Sequence, residues 1–180
     1  TPQLNMPLVA MVSYSIILRC QPENFVRLAR QSGISGAIVP DLPMDESHEF
    51  GRICSKHDFN LVQLITPTTP DERALEIADV ASGFVYYVSV AVITGERSRL
   101  PAELTERLAW LKQNCDKPIC VGFGISEPDQ AEQLKRCADG IIVGSAIVKR
   151  IAHAIAPQQR DQVIDDIRQF SLQMVQATAP

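Results

Sequence analysis

Six short apolar runs recur along the chain: Leu8 to Ser13 ("LVAMVS"), Gly36 to Pro40 ("GAIVP"), Leu61 to Thr66 ("LVQLIT"), Phe84 to Val90 ("FVYYVSV"), Pro118 to Phe123 ("PICVGF") and Gly140 to Gly144 ("GIIVG"). Each is rich in β-branched or aromatic residues and apolar on both faces, the pattern of a strand covered on both sides in a parallel sheet. Amphipathic segments with helix-start residues lie between them. Pro22, Pro70 and Pro101 are each expected in a first helical turn, and Ser126 is expected as an N-cap with Pro128 and Asp129 behind it. The runs begin 22 to 34 residues apart, which allows one strand–helix unit each.

Six successive βα units belong either to an open doubly wound sheet or to most of a (β/α)8 barrel. Two features favour the barrel. No early G-x-G-x-x-G opens the chain, and the glycine-rich turns come after the last two strands, where barrels bind phosphate. The fold class expected is therefore α/β, an incomplete TIM barrel with six of its eight βα units. Residues 1–180 are expected to form a single barrel-domain fragment, units three to eight plus a C-terminal helix, without a linker. Because the chain starts at Thr1 and enters its first strand within a few residues, the two missing units are expected before it.

Composition narrows the function classes. The net charge is −4 and no Lys/Arg cluster stands out, which argues against nucleic acid as a partner. No apolar run approaches the roughly 18 residues of a membrane span, and the N-terminus carries no signal- or transit-peptide pattern. Cys20, Cys54, Cys115, Cys120 and Cys137 are odd in number and lack a C-x-x-C pair, so they read as reduced thiols of a cytoplasmic protein. His48, His57 and His153 are scattered, and no metal spacing exists.

A barrel of this kind works at the C-terminal ends of its strands. Those ends supply Ser13 and Tyr14, Asp41, Thr66, Ser89, Phe123 with Gly124, and Gly144 with Ser145. Gly122 and Gly124 bracket Phe123, allowing a tight turn that aims Phe123 over the mouth. "GSAIV" then starts a helix at Gly144 and Ser145, whose N–H groups form an anion site. "TGER" around Gly95 adds a third set of N–H groups, with Arg97 and Arg99 in the same loop. Asp41 in "VPDLP" is the carboxylate at a strand end. It reads either as a general base or as a brace, capping the next helix or tying a turn between two prolines. Tyr86 is a core or pocket-wall residue, and Trp110 packs in a helix. A serine hydrolase is excluded, because there is no G-x-S-x-G and no histidine at a strand end.

"VPDLP", "TPTTPDER", "GFVYYVSVAVITGER", "GFGISEPDQ" and "ADGIIVGSAIVKR", in this order and spacing, resemble the tryptophan synthase alpha chain from about Pro7 to Arg150. The resemblance implies a (β/α)8 barrel that cleaves indole-3-glycerol phosphate to indole and glyceraldehyde 3-phosphate in tryptophan biosynthesis. It implies an α2β2 heterotetramer with a beta chain, where the pyridoxal phosphate resides; the alpha reaction itself takes no cofactor. Carried over by motif, the phosphate is held by Gly95, Phe123, Gly124, Gly144 and Ser145. Met11, Ile38, Ile65 and Tyr86 fall in the indole pocket. The loop "VAVITGERSRLP" corresponds to the family's water-excluding lid.

The departures are informative too. The family's catalytic glutamate, and the aspartate that holds the indole N–H, belong to a part of the barrel without a counterpart here. No residue of this chain takes either role, which leaves Asp41 as a candidate base at a family position outside that pair. "SYSI" (Ser13 to Ile16) replaces the family's "YYNP", whose asparagine contacts the beta chain, and Val92 replaces a lid glycine. Two rivals remain: another phosphate-binding barrel isomerase, and a non-catalytic module that keeps the phosphate pocket and the beta-chain contact. The isolated chain is expected to lack lyase activity and to be poorly stable, with two unpaired sheet edges.

Overall fold

The computed structural model describes residues 4–89, 101–122, 124–152 and 159–179. Strands and helices alternate: β1 (Val9–Met11), α1 (Tyr14–Cys20), α2 (Pro22–Gln31), β2 (Gly36–Ile38), α3 (Met44–Lys56), β3 (Asn60–Ile65), α4 (Asp71–Val80), β4 (Val85–Val88), α5 (Ala102–Asn114), β5 (Ile119–Gly122), α6 (Pro128–Leu134), β6 (Gly140–Ile142), α7 (Ser145–Ile151) and α8 (Arg160–Thr178). All six expected strands are present, five of them shorter than the apolar runs that announced them and β3 equally long but one residue earlier. The chain forms two compact units, residues 1–86 with 115–118, and residues 87–114 with 119–180.

In the first unit the strand order is β1-β2-β3-β4. The β1–β2 pair is parallel, with Val9 opposite Gly36 and Met11 opposite Ile38, and β2–β3 is parallel with Gly36 opposite Asn60 and Ile38 opposite Val62. Each helix here carries the chain back so that the next strand runs the same way. The core lies between strands and helices: Ala37, Val39 and Leu61 from the sheet side meet Ile17, Val26, Ala29, Phe50 and Cys54 from the helices. Burial pushes the Cys54 thiol up to about 12, so it stays protonated there.

Gly36 shows how close the backbones come. A Cβ built there would sit 2.6 Å from the Asn60 carbonyl oxygen and 2.9 Å from Asn60 Cβ. Asn60 is held in turn, since its N–H and its side-chain amide both donate to the Ser35 carbonyl, at 2.9 and 3.1 Å. The glycine is therefore fixed by packing.

In the second unit the order is β4-β5-β6, and β5–β6 is parallel with Cys120 opposite Gly140. Leu104, Leu108 and Leu111 form the buried stripe of α5, at helical spacing. Phe170 and Met174 bury one face of α8, and the Arg150 guanidinium lies 3.8 Å over the Phe170 ring. Asp139, just before β6, ties the start of β5: its carboxylate accepts from the Ile119 N–H at 2.9 Å and from Lys112 at 2.7 Å.

Four sequence expectations are corrected. Of Pro22, Pro70 and Pro101, Pro22 alone occupies the first turn of its helix, as Pro128 does in α6; Pro70 is the residue before α4, and Pro101 precedes α5. The N-cap of α6 is Glu127, not Ser126. Gln130 reaches back to accept from both the Ser126 and Glu127 N–H groups, at 2.8 and 3.1 Å, so a box one residue later wins over a serine cap. α1 was not anticipated, because seven residues with no acidic first turn carry too little periodic signal. Finally, β1 and β6 are not covered on both faces. Val9 is 38% and Met11 62% exposed, and all three β6 residues are half-buried.

Gly36→Ala is expected to destabilise the chain by about 2 kcal/mol or more, since its neighbour is backbone that cannot yield. The urea midpoint checks this. An unchanged midpoint would show that the β2–β3 contact relaxes freely.

Candidate functional site

The ends of β1 and β2 are joined by Asp41. Its carboxylate accepts from the Ser13 hydroxyl at 2.6 Å and from the Tyr14 N–H at 2.8 Å, across 27 residues of chain. Tyr14 opens α1, so Asp41 serves the helix start that Ser13 leaves uncapped with its own side chain. Buried Tyr14 reaches on, its hydroxyl donating to Glu46 of α3 at 3.2 Å. Asp41 thus braces a turn, but the partner is the preceding helix α1 rather than α3. The hydrogen bonds from Ser13 and Tyr14 hold its carboxyl below the usual carboxylate range, which makes it a poorer base. Sequence reading had no signal for this pairing, because two ordinary residues meet an aspartate far along the chain.

Met11 and Ile38 are register partners on one face of the β1–β2 pair. Ile38 is buried and Met11 exposed. Ile65 is fully buried at the end of β3. The β2–β3 register puts Val62 beside Ile38, and a regular pleat from Val62 places Leu64 on that face and turns Ile65 to the other. Tyr86 is 8% exposed, and burial raises its phenol above the ordinary value. Alternation sets it opposite Tyr87, whose phenol burial also raises, against a smaller lowering by the nearby Arg107 charge.

At the far end of the second unit, β5 stops at Gly122, and Gly124 follows with φ +80°. That left-handed backbone suits glycine and explains why this position lacks a side chain. Ser89, after β4, donates to the Gly122 carbonyl twice, from its N–H at 3.0 Å and its hydroxyl at 3.2 Å. After β6, Gly144 is the residue before α7 and Ser145 its first. Both are exposed, as is Gly124. Gly144 has φ −120°, and no atom lies within 4 Å of a Cβ built on it. Its described neighbours do not call for glycine. Ile147 and Val148 donate to the Gly144 carbonyl at 2.9 and 3.1 Å, and no described residue accepts from the Ser145 or Ala146 N–H. Gly95, Phe123, Val92, Arg97 and Arg99, with the lid-like loop as a whole, lie outside the described residues.

Among the described residues no group of three or more His, Cys, Asp or Glu is placed to hold a metal ion. Nor is any helix among them long and apolar enough to cross a membrane.

The Asp41 brace yields a pH test. A carboxylate whose folded-state pKa is lowered contributes stability above its unfolded value of about 3.9, and loses it as pH falls through the lower folded value. Asp41→Asn is therefore expected to melt below wild type at neutral pH, with the gap closing as pH falls through the carboxylate range. A gap that stays constant down to the acid limit would show that the charge of Asp41 plays no part.

Comparison with known proteins places this arrangement. The family pattern described as "Tryptophan synthase alpha chain" matches residues 1–179. The chain is 52% identical over 150 residues to the tryptophan synthase alpha chain of Rhodopirellula baltica, covering 83% of this chain and 54% of that one. It is 46% identical over 145 residues to that of Methanocaldococcus jannaschii, covering 81% and 52%. The chain thus spans about half the length of these curated relatives. Among solved structures, the tryptophan synthase A-subunit of Pyrococcus furiosus aligns with a TM-score of 0.84 at 32% identity, covering 97% of this chain and 68% of that one. The six parallel strands and their helices therefore make up an incomplete (β/α)8 barrel. The chain belongs to the tryptophan synthase alpha chain family.

Proposed function

We propose that this chain carries the phosphate-binding and part of the indole-binding apparatus of a tryptophan synthase alpha subunit. That subunit is a lyase that splits indole-3-glycerol phosphate by retro-aldol cleavage into indole and glyceraldehyde 3-phosphate. The observation that carries the reading is Gly144. Packing among the described residues does not explain its glycine, and it stands before a helix whose first N–H groups lack acceptors among the described residues. An oxyanion approaching the bare backbone would use both facts. Gly124, glycine by its φ, would present a further N–H, and by family resemblance Gly95 and Phe123 complete the set.

The substrate's indole would lie against apolar side chains. Met11 and Ile38 supply a paired strip from β1 and β2, and Tyr86 a buried aromatic from β4. Ile65 belongs to the resemblance, although a regular pleat turns it to the face opposite Ile38. Phosphate anchoring contributes to catalysis because binding energy remote from the breaking bond aligns the reacting atoms. The proton transfers themselves need the family's glutamate and aspartate, and no residue here matches either. Asp41 is too fully engaged by Ser13 and Tyr14 to substitute for them.

The natural setting we propose is a cytoplasmic α2β2 assembly. The beta chain would take the indole and hold the pyridoxal phosphate, while the alpha site works without a cofactor. The cysteines, all unpaired in the structure, suit a reducing compartment.

The purified chain is expected to bind indole-3-glycerol phosphate saturably by calorimetry without releasing indole. Gly144→Asp, which sets a carboxylate against the phosphate, is expected to weaken binding at least about tenfold, the scale of one misplaced like charge in a binding site. Unaltered binding in Gly144→Asp would remove the phosphate assignment. Indole release by wild type would show that catalytic groups do lie within these residues.

A further inference from the structure

We infer that Ser89 is a positioning residue for the phosphate-binding end of β5, a role that rests on the phosphate assignment above. Three side chains are the buried polar ones among the described residues: Ser47, Gln63 and Ser89. Ser47 bonds within its own helix, to the Met44 carbonyl at 2.7 Å. Ser89 differs. It is 1% exposed and reaches across to the neighbouring strand, where its N–H and hydroxyl both meet the Gly122 oxygen.

The N–H bond is a backbone bond just past the end of β4, and any residue but proline would make it. The hydroxyl bond needs a side-chain hydroxyl. A buried hydroxyl costs stability unless it is bonded, so an apolar residue would serve packing here at least as well. What the hydroxyl adds is a second donor on one carbonyl, filling both of its acceptor sites.

Gly122 is where β5 ends. The peptide unit is planar, so fixing the Gly122 C=O fixes the plane in which the chain leaves the strand. Gly124, exposed and left-handed, follows two residues later. Backbone donors hold an anion well only when their directions are set in advance. Ser89 supplies that constraint from behind the site without touching the ligand.

The test uses the 15N-labelled 180-residue chain, titrated with inorganic phosphate while the Gly124 amide resonance is followed. Wild type is compared with Ser89→Ala and Ser89→Cys. In Ser89→Ala the Gly122 carbonyl keeps its N–H donor, so that acceptor is not orphaned. The melting temperature should then shift by no more than about 3 °C. Phosphate affinity is expected to fall about fivefold, the worth of one ordinary hydrogen bond. The Gly124 resonance should also move without phosphate present. Ser89→Cys refills the space with a weak donor and is expected to behave like Ser89→Ala. Wild-type affinity in Ser89→Ala, or its recovery in Ser89→Cys, would overturn the positioning role alone. A wild-type Gly124 amide that ignores phosphate would overturn the phosphate assignment and this role with it.

Discussion

Neighbouring strands of this sheet crowd one another at the starts of β2 and β6, and at β2 the crowding comes from backbone and demands glycine. Gly36 opens β2 against Asn60, and Gly140 opens β6 with a built Cβ only 2.8 Å from Cys120 Sγ. At Gly36 backbone fills the space, whereas at Gly140 the Cys120 thiol would have to move to admit a side chain. After β6 the crowding is absent, since no described atom lies near Gly144. One fold therefore uses glycine for opposite reasons. At Gly36 the protein fills the space itself; at Gly144 the described residues leave it empty. This asymmetry matches the division of labour in barrels, whose strand beginnings carry stability and whose strand ends carry chemistry.

The two ends of the chain's apparatus differ in how they are held. Around β1 and β2 a charged brace does the work, with Asp41 collecting Ser13 and Tyr14 and Tyr14 reaching Glu46. Such a brace sets a helix start in an exposed place, and its strength depends on the carboxylate staying ionised. At the end of β5 the fixing is neutral and buried, one serine against one carbonyl. A buried neutral bond is insensitive to pH and salt, which suits a part of the site meant to receive a charged ligand.

Much of the fold was legible in the sequence because the signals were local. A doubly covered strand shows itself in four to seven apolar residues, and proline or acidic first turns mark the helices that follow. What escaped notice involved competition or distance. Ser126 and Glu127 are both plausible caps, and only the reach of the Gln130 side chain decides between them. α1 is too short to show a periodicity. Asp41 could be recognised as poised at a strand end, but its partners lie 27 and 28 residues away and cannot be read from one sequence. The glycines of the candidate site were visible as a pattern, whereas the reason for each, φ at Gly124 and empty space at Gly144, came only with coordinates.

The central claim is that the strand ends around Gly124 and Ser145 are shaped for a phosphate rather than for the protein's own packing. A crystal structure of the chain grown with indole-3-glycerol phosphate tests it most directly. The account predicts phosphate oxygens about 3 Å from the N–H groups of Gly124 and Ser145, the ordinary hydrogen-bond range. A phosphate bound elsewhere, or those N–H groups turned away from it, would contradict the account.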